Sequence, residues 1–218
     1  MKAYIFDLDG TLFDSTEVWL NIDIEFLKKR GITAPDDYAG IISPMSFPEA
    51  AAYTINRFNL PEGIDSLLQE WGDMAVYAYG NTVQLKPYAK EYLAELRKHK
   101  KKLAVATSSI RELYEPALRN HGIYDWFDVI CDASEAGCGK TRPDIFLITA
   151  SKLGVEPCEC IVFEDIPAAV KSAKSISMKV YGVFDNQPKA DWEKINQEAD
   201  GIISGFRYAP KPRSIQMF

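Results

Sequence analysis

At 218 residues the chain is long enough for one large domain, or for a core domain with a small satellite. Hydrophobic residues make up 47% and charged residues 26%, which excludes wholesale disorder, collagen-like repeats and a small disulfide-built scaffold. A formal net charge of −6 lacks the basic surplus of a dedicated nucleic-acid binder, so no nucleic-acid partner is expected, although a local basic pocket for a small anion remains compatible with it.

Residues 2–8 place Ala3-Tyr4-Ile5-Phe6 ahead of Asp7 and predict a buried strand, with Asp7-Leu8-Asp9 at its end and Gly10-Thr11 as a loop. So short an apolar run, cut by a carboxylate, is not the core of a secretion signal. No later stretch reaches the roughly 18 apolar residues of a membrane span, so a cytoplasmic protein without a membrane partner is expected. From Ser15 onward Trp19, Ile22, Phe26 and Leu27 recur at helical spacing until Gly31. Further helices are predicted over 49–58 and 64–79, and no strand between Ser15 and Leu85. Pro87 then opens a helix over 87–102, followed by a strand (103–107), a helix (111–121) and a strand (128–131). After these come a helix (143–154), a strand (161–163), a helix (167–177) and a strand (180–184). A last short strand is expected over 201–204, and the two prolines within 208–213 predict an irregular tail.

Strands alternating with helices imply an α/β fold: a Rossmann-like, doubly wound parallel sheet with helices on both faces. The first strand belongs with the later ones. The expected division is therefore a core domain of residues 1–14 and 86–218, with an inserted all-helical cap domain of residues 15–85. Open α/β sheets bind ligands beyond the carboxyl ends of their strands. Those ends carry Asp7 and Asp9, then Thr107-Ser108-Ser109, then Gly139-Lys140, then Glu164-Asp165. Each alone has an ordinary reading as a turn, a helix cap or a surface lysine. One such element at every core strand end is not what those readings predict.

Carboxylates brought together there repel one another unless a cation compensates, and oxygen ligands in a small cleft suit Mg²⁺ together with a phosphate. A lysine ammonium and loop N–H groups suit the remaining charge of a phosphoryl group. With the metal present, Asp7 can attack phosphorus to form an acyl phosphate. Asp9, two residues on, can protonate the leaving oxygen and then activate water.

Asp7-Leu8-Asp9-Gly10-Thr11-Leu12, the Ala106-Thr107-Ser108 strand end, Lys140 and Val162-Phe163-Glu164-Asp165 resemble the haloacid dehalogenase superfamily of phosphatases and phosphomutases. The resemblance runs from residue 3 to about 184, and the helical insertion is similar to the small cap of one branch of that family. It implies Asp7 as nucleophile and metal ligand, and Asp9 as acid/base whose carbonyl also binds the metal. Thr107 and the Ser108 N–H would hold phosphoryl oxygens, and Lys140 would neutralise nucleophile and phosphate. Asp165 would bind Mg²⁺, with Glu164 orienting the metal or its waters. Relatives often carry proline after the lysine, where this chain has Thr141-Arg142-Pro143.

The expected activity is Mg²⁺-dependent hydrolysis of a small phosphorylated metabolite by a monomer or weak homodimer. A sugar phosphomutase and a non-catalytic phosphate-binding module are the alternatives. Helical-cap mutases of the family typically carry a histidine where this chain has Trp19, and an arginine after a cap-loop serine, where Ser46 precedes Phe47. Trp19, Ser46, Phe47 and Arg57 are the candidate cap contacts to substrate. Short connections near Phe13-Asp14-Ser15 and over 83–87 predict hinge opening for substrate entry. Cys131, Cys138, Cys158 and Cys160 form no C-x-x-C pair, which argues against a zinc site. Trp71, Tyr77 and Tyr79 read as packing, and the runs 28–30 and 98–102 as solvated charge.

Overall fold

The computed structural model describes residues 1–42, 45, 47–137 and 139–212. Its sheet is parallel and six-stranded, in the order β5 (Val129–Asp132), β4 (Lys102–Thr107), β1 (Ala3–Phe6), β6 (Cys160–Glu164), β7 (Lys179–Val183) and β8 (Gly201–Ile203). The chain leaves β1 toward β4 and β5, then returns to β6 on its other side. That reversal opens a crevice at the carboxyl end of β1. Register brings Phe6 beside both Val105 and Phe163, so Asp7, Thr107 and Glu164 emerge from neighbouring strand ends.

Alternation along β1 shows why both faces must be covered. Ala3 and Ile5 join Ile145, Phe146 and Ala150 of α8 (Asp144–Leu153) and Val170 and Ala173 of α9 (Pro167–Ser175) in one apolar core. Tyr4 and Phe6 point the other way, edge-on to Tyr92 of α5 (Ala89–Lys98) at 6.5 and 6.3 Å, with Phe6 stacked on Phe163 at 4.9 Å.

The chain divides into two compact units, Met1–Ser15 with Val83–Phe218, and Thr16–Thr82. In the second unit α1 (Thr16–Lys28), α2 (Tyr38–Ile42), α3 (Phe47–Phe58) and α4 (Ile64–Asn81) bury Phe26, Leu27, Ala51, Leu67 and Trp71. Tyr38 and Thr54 share a hydrogen bond of 2.6 Å. Arg30 is not a solvated charge: it pairs with Glu62 at 2.8 Å and Glu70 at 2.7 Å, its guanidinium 3.7 Å over the Phe26 ring. Tyr77 corrects the reading of its stripe as packing, since it is 67% exposed while Trp71 and Tyr79 are buried.

Within the first unit the stretch expected to lack strands contains one. Gln84–Leu85 (β3) pairs antiparallel with Phe13–Asp14 (β2), and Lys86 N–H continues the contact to the Leu12 carbonyl at 2.8 Å. The helix predicted from Pro87 begins only at Ala89, because Tyr88 sits in the left-handed region at φ 65°, and it ends at Lys98, before Lys100 turns at φ 53°. Arg111–Asn120 forms α6. Short α7 (Ala133–Ala136) and α10 (Lys189–Glu198) add to the predicted set. No helix among the described residues is long and apolar enough to cross a membrane.

Candidate active site

The site is built on a turn. After β1, the Thr11 and Phe13 N–H groups both donate to the Leu8 carbonyl, at 3.1 and 2.8 Å, and Gly10, between Leu8 and Thr11, takes φ +75°. This folds the backbone back under Asp7, which is 5% exposed. Lys140 reaches into the same space, only 6% exposed, and its ammonium contacts Asp7 Oδ1 and donates to Glu164 Oε2 at 2.9 Å. Glu164 is fully buried, and its other oxygen accepts the Asp165 and Ile166 N–H groups at 3.1 and 3.2 Å. Thr11 Oγ1 donates to Asp165 Oδ1 at 3.1 Å.

Asp7, Glu164 and Asp165 each bring one carboxylate oxygen within 4.8 Å of the others. Lys140 contacts Asp7 and Glu164, so three carboxyl groups gather around this ammonium. Burial, and then the Glu164 charge, push Asp7 up from 3.8 to about 8 even though Lys140 opposes the shift. Burial with Glu164 and Asp7 nearby pushes Asp165 from 3.8 to about 9. For Lys140, burial acts downward, but Asp7 and Glu164 outweigh it and hold the ammonium above its ordinary range. Hard oxygen donors gathered this closely fit a divalent cation, whose charge would reverse the upward shifts of both aspartates.

Other expected residues fall around this centre. Asp9 is half-buried and bridges to Phe13; its charge is among those raising the Asp7 pKa, although its carboxylate is not part of the three-oxygen group. Thr107 is buried at the end of β4, its hydroxyl oxygen accepting the Ser109 N–H at 3.0 Å, which leaves the hydroxyl proton for another acceptor. Ser108 is exposed beside it.

A family model described as haloacid dehalogenase-like hydrolase matches residues 1–176. The chain belongs to that family. A Drosophila melanogaster protein named probable pseudouridine-5′-phosphatase is 28% identical over 98% of the chain and 94% of its own length. A validoxylamine A 7′-phosphate phosphatase from Streptomyces hygroscopicus subsp. limoneus is 30% identical over 84% of the chain and 85% of its own. Among solved structures, a Thermotoga maritima protein provisionally named beta-phosphoglucomutase superposes with a TM-score of 0.85 at 25% identity, covering 93% of this chain and 94% of that one. The chain is thus a haloacid dehalogenase-type enzyme of the phosphatase kind, with phosphatase or phosphomutase-like activity.

In this hydrolase the expected cap contacts Trp19 and Phe47 lie in the helical unit, edge to face at 5.2 Å. They line a cavity of about 640 Å³ with Ile22, Asp23, Met45 and Trp71. Burial in that wall raises Asp23 from 3.8 to about 7. Ser46 lies outside the described residues. Arg57 pairs with Asp37 at 2.8 Å and donates to the Tyr53 hydroxyl at 2.7 Å. Sequence reasoning gave no role to Thr11, which holds Asp165, nor to Lys86, Asp185 and Gln187 beyond β7. Asp185 carried a usable signal, since it too follows a predicted strand end.

Lys140→Met is expected to lower the stability of the metal-free enzyme by about 3 kcal/mol, because Asp7 and Glu164 would stay buried without their cation. Urea unfolding in EDTA measures this. The double variant Lys140→Met/Glu164→Gln should recover part of the loss. A single variant as stable as wild type would remove the buried pair from the account.

Proposed function

We propose that this enzyme hydrolyses small-molecule phosphate monoesters with Mg²⁺, through an aspartyl-phosphate formed on Asp7. What supports the reading is the buried Asp7 carboxylate in contact with the Lys140 ammonium and crowded by Glu164 and Asp165. Asp7, Asp165 and the Asp9 main-chain carbonyl would hold the ion, with Glu164 orienting it. The bound cation would screen the carboxylates from the incoming phosphate and draw charge from its oxygens.

Lys140 neutralises Asp7, so that one anion can approach another. An Asp7 oxygen then bonds to phosphorus as the bond to the ester oxygen breaks, and Asp9 delivers its proton to the departing alcohol. In the second half Asp9, now a carboxylate, takes a proton from water while the water oxygen attacks phosphorus. The Asp7–phosphorus bond breaks and inorganic phosphate leaves. The Thr107 hydroxyl and the Ser108 N–H supply hydrogen bonds to phosphoryl oxygens throughout. Trp19 and Phe47, with the Asp23 cavity, select the organic part of the ester.

A phosphomutase reading has the Thermotoga maritima likeness in its favour. A mutase must also clamp a second phosphoryl group, for which a basic side chain is suited. Trp19 and Phe47 stand where helical-cap mutases of the family typically carry histidine and arginine, which favours hydrolysis.

Phosphate release from a panel of sugar phosphates, phosphoglycolate-like acids and nucleotides, with Mg²⁺ and with EDTA, tests the proposal. Mg²⁺-dependent release is expected. Absence of release from every ester by a folded protein would sink it, and sugar bisphosphates would then be the next substrates. Trp19→Ala and Phe47→Ala should reorder kcat/KM across the panel; an unchanged order removes the helical unit from selectivity.

A further inference from the structure

Beyond β7 lies a polar brace that no step above employs. The Gln187 carboxamide oxygen accepts the Asp185 N–H at 2.7 Å, and its nitrogen donates to the carbonyls of Val183 at 3.0 Å and Asp165 at 3.2 Å. The buried Lys86 ammonium donates to the Phe184 carbonyl at 2.8 Å and pairs with Asp185 Oδ1 at 2.7 Å. Asp185 Oδ2 converges with Asp165 on Gly10: a β-carbon built there would stand 2.8 Å from Asp185 Oδ2 and 2.3 Å from Asp165 Oδ2.

Two features set this brace apart from ordinary packing. The β6–β7 register ends at Glu164 beside Gly182, and Gln187 extends the cross-strand bonding one residue further, to the carbonyl of Asp165 itself. Second, a buried lysine–aspartate pair is a poor stabiliser, because desolvation offsets its attraction. Here it fixes an aspartate against a site that already gathers three carboxyl groups, which makes sense when a cation is to be held.

We propose that Gln187 and the Lys86–Asp185 pair are positioning residues for the divalent cation. Gln187 fixes the main chain of the ligand Asp165, and Lys86 holds Asp185 so that Oδ2 accepts hydrogen bonds from the water shell of the cation. Outer-shell partners of this kind typically govern 10- to 100-fold in metal affinity. The inference rests on the metal-site reading under Proposed function, but not on which ester is cleaved.

Calorimetric titration of Mg²⁺ into the full chain reads it without turnover. Gln187→Ala, Lys86→Met and Asp185→Asn should each bind Mg²⁺ about tenfold or more weakly, and Lys86→Arg should recover part of the affinity. Lys174→Met is the control: it breaks the Lys174–Asp200 pair (2.7 Å), which is apart from these contacts, and should bind as wild type does. Where an ester is cleaved, raising Mg²⁺ should restore kcat in Gln187→Ala with little change in KM. Gln187 is only half-buried, so its variant should fold even if Lys86→Met does not. Wild-type affinity in a folded Gln187→Ala overturns the proposal, as does a wild type that binds no Mg²⁺. A wild type that binds Mg²⁺ but cleaves no ester overturns the phosphatase proposal alone.

Discussion

Asp7→Asn is expected to abolish Mg²⁺-dependent phosphate release, by at least about 10⁴-fold in kcat, because asparagine keeps the shape but offers no nucleophilic oxygen. The same substitution should raise the thermal midpoint of the metal-free protein at pH 8. The Asp7 carboxyl is pushed by burial from 3.8 to about 8 in the folded protein, so between those values the folded state holds a proton that the unfolded chain has released. A group of this kind favours the unfolded state increasingly as pH rises through that window. Asparagine carries no such charge, and its advantage should shrink as the pH is lowered toward 4. Lys140 is not orphaned, because Glu164 stays on it at 2.9 Å. Added Mg²⁺ should raise the midpoint of wild type more than that of the variant. Turnover surviving in Asp7→Asn removes Asp7 as nucleophile. A midpoint that falls equally at pH 5 and pH 8 shows that the Lys140 contact outweighs the crowding.

β1 and β6, which lead to Asp7 and to Glu164-Asp165, were legible because each is a short, fully buried run with a polar residue at its carboxyl end. Ala3–Phe6 and Cys160–Glu164 are buried at every position, and that signature survives any error of a residue at either end. What stayed hidden is short or weakly patterned. β2 and β3 have two residues each, too few to show a period of two, and they are held by the pairing of Phe13 with Leu85. α10 buries Ile195 as its one buried residue, so almost no apolar stripe marks it. The early end of α5 depends on Lys100 at a positive φ, which no composition rule foretells for lysine. In the site, Asp7, Glu164 and Asp165 were found by their places at strand ends, and Lys140 by its place in the loop after the third predicted strand, although α7 stands between it and β5. Lys86 and Gln187 act through main-chain carbonyls of Phe184 and Asp165, and a residue chosen for where it reaches leaves little trace in its neighbours.

Gly10→Ala should lower turnover on the order of 100-fold, although it alters no reacting group. At φ +75° an alanine costs about 1–2 kcal/mol in backbone strain, which for a chain of this size lowers the thermal midpoint by roughly 2–8 °C. The larger effect is local. The new methyl group would lie 2.3 Å from Asp165 Oδ2 and 2.8 Å from Asp185 Oδ2, and neither carboxylate can withdraw cheaply. Thr11 bonds Asp165 at 3.1 Å, Gln187 grips its carbonyl, and Lys86 pairs with Asp185 at 2.7 Å. Something must shift, and a displacement of about 1 Å in a catalytic arrangement costs on the order of 100-fold in rate. Gly122→Ala separates the two contributions. That glycine is also left-handed, at φ +65°, but the atom facing its missing β-carbon is the flexible Lys90 Nζ at 3.8 Å. It should lose comparable stability and keep its turnover and Mg²⁺ affinity. If both variants lose the same turnover, backbone strain alone explains Gly10. If only Gly10→Ala fails, the closeness of backbone to carboxylates is what the site requires, and glycine is the one residue that permits it.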